Sequence, residues 1–201
     1  MSKRIVKRKI KLPVIIPFLQ KEKEVAEKTK ASVLKHNPDV KIVMVDGTAP
    51  SDLPASKKVS WVFFNKVIPA YRQGGFTRGF YFVESGVKIK KPFKQWKKEH
   101  ASDKPKDRPY WMGFTKLLSD YRVGSKIVFF PPNVVSDLDD RYKDGKIRLQ
   151  HLDRMVKALN PVVGKAKKVG KTTLPGDDLF ALYPKKSSFG TKHHPSLYED
   201  D

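Results

Sequence analysis

The chain has 201 residues, 39% of them hydrophobic, including 12 Phe, 7 Tyr and 3 Trp, enough apolar material for one folded core. It has no cysteine, which excludes a disulfide framework and thiolate metal centres, and no apolar run approaches the ~20 residues of a membrane span. Its 42 Lys and Arg against 21 Asp and Glu leave a net charge of +21, which points to a polyanionic partner, nucleic acid ahead of an anionic membrane surface.

The opening "MSKRIVKRKIKL" is basic but lacks the long apolar stretch and cleavage site of a secretory signal, so a cytoplasmic protein is expected, with residues 1–10 as a basic arm. "KLPVIIPF" (11–18) is β-branched and predicts a buried strand. "LQKEKEVAEKTKASVLKHN" follows with Val25, Ala26, Thr29 and Val33 along one helical face, and His36, Asn37 and Pro38 end it. "VKIVMVDG" (40–47) predicts a second strand closing on Asp46 and Gly47. Strand, helix and strand make a βαβ unit, whose strands run parallel.

"VSWVFFNKVIPAYRQ" (59–73) reads as a buried helix disturbed by Pro69, and "FTRGFYFVESG" (76–86) as a third strand. "VGSKIVFFPP" (123–132) reads as a fourth strand stopped by two prolines. Helices are expected at "VVSDLDDRY" and "LQHLDRMVKALN", then a glycine- and lysine-bearing loop, a short helix at "DDLFALY" (177–183) and a polar tail. The class is α/β: one Rossmann-like domain over 11–197, its mostly parallel central sheet flanked by helices, with an acidic tail at 198–201. In such sheets ligands bind beyond the carboxyl ends of the strands, where Asp46 and Glu84 both stand.

Phosphate motifs are missing. There is no G-x-G-x-x-G, and "GKT" at 170–172 has Lys165 where a P-loop needs its first glycine. The five histidines do not form H-E-x-x-H. Basic segments stand out instead. Between Lys88 and Arg108 lie nine Lys or Arg and three acids, with Phe93, Trp96, Tyr110 and Trp111 within or just beyond. Lysines release counterions from a phosphate backbone and aromatic faces stack on bases, so Lys90, Lys91, Lys94, Trp96, Lys97, Lys98, Arg108 and Trp111 form a candidate nucleic-acid surface. Lys165, Lys167 and Lys168 form a second one. A solvated lysine loop anchored by its aromatics is the plainer alternative.

The order of the pieces resembles the nucleotide-diphospho-sugar glycosyltransferases of the GT-A fold. "VIIPF", helix and "VKIVMVDG" look like their opening, with Pro17 near the end of the first strand and Asp46 at the nucleoside. "FYFVESGV" resembles the strand that leads into their D-x-D motif, which reads Glu84-Ser85-Gly86 here, so one carboxylate remains. "VGSKIVFFPPNVVSDL" resembles the strand supporting the acceptor side, and "LPGDDLFALY" the acidic pair before a helix. "KHHPSL" lies where a late histidine completes a metal site. The resemblance runs over roughly 11–197 and is nearest to bacteriophage enzymes that glycosylate modified bases in DNA.

What it implies is a monomeric transferase moving a sugar from a nucleoside diphosphate, a UDP-sugar first, to a hydroxyl of a modified pyrimidine in DNA. Asp178 would be the base, with Asp177 as its substitute. Pro17, Asp46, Glu84, Gly86, His193 and His194 would line the donor, and Glu84 with His194 would hold Mg²⁺ or Mn²⁺, unless lysines replace the metal. Each acid has a structural alternative: Glu84 as an ordinary solvent-facing acid at a strand end, Asp46-Gly47 as a turn, Asp177 and Asp178 as partners of a helix dipole. A non-enzymatic nucleic-acid-binding protein on an α/β scaffold is the second reading, and a transferase with a carbohydrate or lipid acceptor the third.

Overall fold

The first strand, β1 (Pro13–Phe18), owes its central position to Val14, Ile15 and Ile16, all with no exposed surface. The structure, a computed structural model, describes residues 12–93, 112–114, 126–130, 132–150, 152 and 180–183. A 3₁₀ turn at Gln20–Glu22 leads into α1 (Lys23–His36), which buries Ala26, Thr29, Ser32 and Val33 at helical spacing. Next comes β2 (Lys41–Asp46), parallel to β1 with Pro13 opposite Lys41 and Phe18 opposite Asp46. The expected βαβ unit is therefore present.

Two prolines in a central strand need an explanation, because each lacks a donor for the ladder. Lys41 N–H donates to Leu12 O and Gly47 N–H to Phe18 O, so the even-numbered residues of β1 face β2. Pro13, Ile15 and Pro17 then face the other neighbour, β3 (Phe80–Val83). That parallel pairing covers only Val14 with Tyr81 and Ile15 with Phe82, the interval between the prolines.

The run at 59–73 is helical, as its apolar character predicts. It consists of α2 (Ala55–Val62), one π turn at Phe63–Val67 and α3 (Ile68–Gln73). Ile68 N–H reaches back five residues to Phe63 O, immediately before Pro69. The ladder is re-registered where proline would have broken it.

After β3 come β4 (Val87–Ile89), β5 (Met112–Phe114), β6 (Ile127–Phe130), α4 (Pro132–Lys143) and β7 (Phe180–Leu182). Pro132 ends the strand region and opens α4, at a position whose N–H has no helical partner to lose. The five-stranded sheet has the order β2-β1-β3-β6-β5. Its first three strands are parallel, while β6 runs antiparallel to β3 and β5 antiparallel to β6. Strands β4 and β5 are too short to stand out in the sequence. The helix expected at 177–183 is corrected where it is described: Phe180–Leu182 is strand β7, antiparallel to β4. Tertiary pairing overrides the helix-favouring Leu and Ala there.

Both faces of the sheet are covered. On one, Phe63, Phe80, Phe82, Phe130 and Leu138 pack between the sheet and the helices α2, α3 and α4. On the other, Val14, Ile16, Tyr81 and Val83 meet Val33 of α1, Val87 and Ile89 of β4, and Phe93. The chain is thus of the α/β class. No helix among the described residues is long and apolar enough to cross a membrane.

Polar side chains on α1 fix the course of β4. Gly86 N–H donates to Thr29 Oγ1 at 2.9 Å, Ile89 N–H to Ser32 Oγ at 3.0 Å, and Phe93 N–H to Asn37 Oδ1 at 2.8 Å. Each of these side chains also donates to its own helix: Thr29 to Val25 O, Ser32 to Thr29 O and Asn37 to Val33 O. Buried polar atoms are satisfied twice over. The segment from Gly86 to Phe93 therefore runs alongside α1, away from the end of β3.

Candidate functional site at the carboxyl edge of the sheet

Because β1, β2 and β3 are parallel, Phe18, Asp46 and Val83 end at one edge, where open α/β sheets bind ligands. Asp46 ends β2 and Glu84 directly follows β3, the strands either side of β1, so the two lie about 10 Å apart by strand spacing. Pro17 lies on the strand between them.

Asp46 is held by its own turn. The hydroxyl of Thr48 donates to Oδ1 at 2.7 Å and its backbone N–H donates to the same oxygen at 3.1 Å. The second oxygen faces Lys66 Nζ at 3.8 Å. The Thr48 hydroxyl, then its N–H and then the Lys66 ammonium hold the carboxyl below its ordinary range. The side chain is 62% exposed, so this is an ionised group presented to solvent. Gly47 also has a role beyond turning: a Cβ there would lie 3.1 Å from Phe18 N and O. Glycine lets the end of β2 close against β1, and Gly47 N–H donates to Phe18 O at 2.8 Å.

The sequence reading missed Lys66. It rides on the π turn, whose altered spacing carries its ammonium to the carboxyl edge. Its signal was available: Asn65 and Lys66 are the polar break in an otherwise apolar "WVFFNKVI".

Glu84 is held differently. Its N–H donates to Lys126 O at 2.9 Å, and its Oε2 lies 2.6 Å from Lys126 Nζ. The side chain is only 18% exposed. Ser85 Oγ donates to Glu22 Oε2 at 3.2 Å, which ties the turn to the start of α1. Gly86 has φ of 91°, its N–H bonds Thr29 and its carbonyl accepts Tyr183 N–H at 2.8 Å. The positive φ by itself calls for glycine at this position.

The D-x-D position was expected to hold a divalent cation with His194. Such a cation asks for several hard oxygen ligands. Glu84 is the sole carboxylate of its triplet and is engaged by Lys126, and no group of three or more His, Asp or Glu that could hold a metal occurs among the described residues. Among the described residues, then, Glu84 by itself does not make a site for the metal, and His194 lies outside them.

Lys90 and Lys91 follow β4 beyond Ile89. Phe93, two residues further, meets Asn37, eight residues along the helix from the Thr29 that holds Gly86, or about 12 Å. The basic segment therefore sets out from the end of α1 opposite the crevice. Asp177, Asp178, His193, His194, Lys94, Trp96, Lys97, Lys98, Arg108, Trp111, Lys165, Lys167 and Lys168 lie outside the described residues. Phe180, the first described residue after the acidic pair, is opposite Ile89, and β7 runs from there toward Gly86.

No protein-family model matches the chain, and no curated protein matches it in sequence. Among solved structures it is similar to a glycosyltransferase involved in the glycosylation of the major capsid of PBCV-1, with a TM-score of 0.44 and 11% identity over 66% of each chain. It is also similar to the apo form of glycosyltransferase GlyE of Streptococcus pneumoniae TIGR4, with a TM-score of 0.46 and 10% identity. That match covers 74% of this chain and 42% of GlyE, so the chain spans less than half of that protein. A third is the galactosyltransferase LgtC in complex with donor and acceptor sugar analogues, with a TM-score of 0.40 and 10% identity over 72% of this chain and 69% of that one. All three are likenesses of backbone path.

Proposed function

We propose that the chain is a glycosyltransferase that takes a sugar from a nucleoside diphosphate at the carboxyl edge of the sheet and transfers it to a hydroxyl of a modified pyrimidine in DNA. The observation that carries the reading is Asp46: an ionised, exposed carboxylate at the end of a parallel strand, oriented by Thr48 and set beside Lys66. A carboxylate so placed accepts hydrogen bonds from the hydroxyls or ring N–H of a nucleoside, and the ammonium beside it favours the phosphate that follows. The GT-A-like order of sequence motifs supports the same assignment.

In the transfer, the acceptor oxygen forms a bond to the anomeric carbon while the bond from that carbon to the diphosphate oxygen breaks. The nucleoside diphosphate leaves with the electron pair, and the hydroxyl proton goes to a base. Asp178 has that role in this reading, with Asp177 as its substitute, and His193 and His194 stand on the donor side. DNA as acceptor is supported by the net charge of +21 and by the segment at 88–111. A base stacked in a duplex is out of reach, so the target is flipped out.

The test is a panel of radiolabelled UDP- and GDP-sugars incubated with the full chain, with and without DNAs carrying natural or hydroxylated bases. Label entering hydroxylated DNA, and lost in Asp178→Asn with DNA affinity kept, is the expected result. DNA binding with no donor consumed rejects the enzyme and leaves the binding-protein reading. Donor consumption independent of DNA rejects the acceptor.

A further inference from the structure

The last described pairs of the β3–β6 ladder set Phe82 opposite Val128 and Val83 opposite Ile127. One residue further, the same register puts Glu84 opposite Lys126, and both backbone and side chain use that opposition. The N–H of Glu84 bonds the Lys126 carbonyl at 2.9 Å, and the ammonium of Lys126 sits 2.6 Å from Oε2. A cross-strand pair anchored by the ladder is aimed by the fold rather than by two flexible side chains finding each other. The two halves differ in exposure, 18% for Glu84 and 40% for Lys126, so the pair turns its negative end inward and its positive end toward solvent.

A divalent cation on Glu84 would have to sit about 2.0–2.6 Å from a carboxylate oxygen. An ammonium already lies 2.6 Å from one of them, and ammonium and metal would repel each other while competing for the same charge. The rest of the triplet adds no second carboxylate, and no group of three or more His, Asp or Glu that could hold a metal occurs among the described residues. Ser85 gives its hydroxyl to Glu22, and Gly86 has no side chain.

We infer that the carboxyl edge is a metal-independent anion site, in which Lys126, aimed by the β3–β6 ladder and backed by Glu84, takes the place and the charge role of a divalent cation. Naming the anion as the diphosphate of a nucleoside diphosphate rests on the function proposed above. The exclusion of the metal from Glu84 does not rest on it. Asp46 and Glu84 stand two strands apart on one edge, a span that an extended nucleoside diphosphate can bridge, with its nucleoside at Asp46 and its phosphates at Lys126.

Two measurements on the full chain test this. In the first, Mn²⁺ is titrated into wild type and Glu84→Gln while the free-ion signal is followed by electron paramagnetic resonance. The same signal in both proteins is expected. Mn²⁺ held by wild type and released in Glu84→Gln overturns the inference. In the second, UDP and GDP are titrated calorimetrically in EDTA and in Mn²⁺ into wild type, Lys126→Arg and Lys126→Met. The expected affinities in EDTA and Mn²⁺ agree within about twofold, and Lys126→Met loses roughly tenfold while Lys126→Arg keeps most of the binding. Melting curves of both variants separate loss of the cation from loss of the fold. A tenfold gain on adding Mn²⁺, or undiminished binding by a folded Lys126→Met, overturns the inference. If neither nucleotide binds wild type in either medium, the proposed donor and the anion role of Lys126 both fall, while the Mn²⁺ titration still decides whether Glu84 is closed to metal.

Discussion

Asp46 and Glu84 end neighbouring parts of one sheet edge, yet the fold treats them in opposite ways. Asp46 is 62% exposed, is oriented by a residue only two positions on, and meets its lysine at a loose 3.8 Å. Glu84 is 18% exposed and is gripped by a residue 42 positions away, at 2.6 Å. Local bonds orient the first carboxylate without committing it, because both Thr48 bonds fall on Oδ1. Ladder geometry commits the second to the fold. The same residue class at the same edge thus gives one group presented to solvent and one that positions the ammonium of Lys126.

Stability measurements can break this contrast. Asp139 sets the upper end of the scale: its side chain is 5% exposed, between Arg72 at 2.6 Å and Lys143 at 2.8 Å, and it locks α3 to α4. Asp139→Asn should cost about 2–3 kcal/mol and lower Tm by about 5–10 °C. Glu84→Gln should cost about 1–2 kcal/mol, less because Glu84 is itself more exposed than Asp139, which Arg72 and Lys143 both hold. Asp46→Asn should leave the melting temperature close to that of wild type, because the carboxylate is exposed to solvent. Thermal melts of the three proteins at one salt concentration check the order. If Asp46→Asn melts as low as Glu84→Gln, the two acids are not held differently and the contrast fails.

The smallest expected effect concerns protons. Thr48→Val removes the hydroxyl that does most to depress the Asp46 carboxyl, which should then titrate higher, toward the ordinary aspartate range. A depressed carboxyl adds stability that is present above its ordinary pKa and lost as pH falls through its folded value. The variant should therefore differ from wild type at neutral pH and converge with it in acid. Carbon-detected NMR titration of Asp46 reads the shift directly. An unchanged titration curve would mean that Thr48 does not hold the carboxylate.

Much of this was legible in the sequence because burial writes itself into composition. Val14, Ile15 and Ile16 of "VIIPF" and all of "FYFV" are buried, so both read as unbroken apolar runs, and the charged stretch between β1 and β2 keeps a helical stripe of buried residues. Asp46 was found because a strand pattern ended on it. Lys66 was not, since its place depends on a π turn that no periodicity announces. The Glu84–Lys126 pair was hidden for a related reason: it joins residues far apart in the chain through the antiparallel register of β6, and that direction is not encoded in β6 itself. Strand β7 was misread because three residues carry too little pattern to resist their partner.

The central claim is that Asp46 receives the nucleoside of a sugar-nucleotide donor. Calorimetric titration of UDP and GDP into wild type and Asp46→Asn tests it most directly, with melting curves as the control for folding. The account predicts that at least one nucleotide binds wild type and binds Asp46→Asn about tenfold more weakly, at an unchanged Tm. Failure of both nucleotides to bind wild type, or equal affinity in the variant, would contradict it.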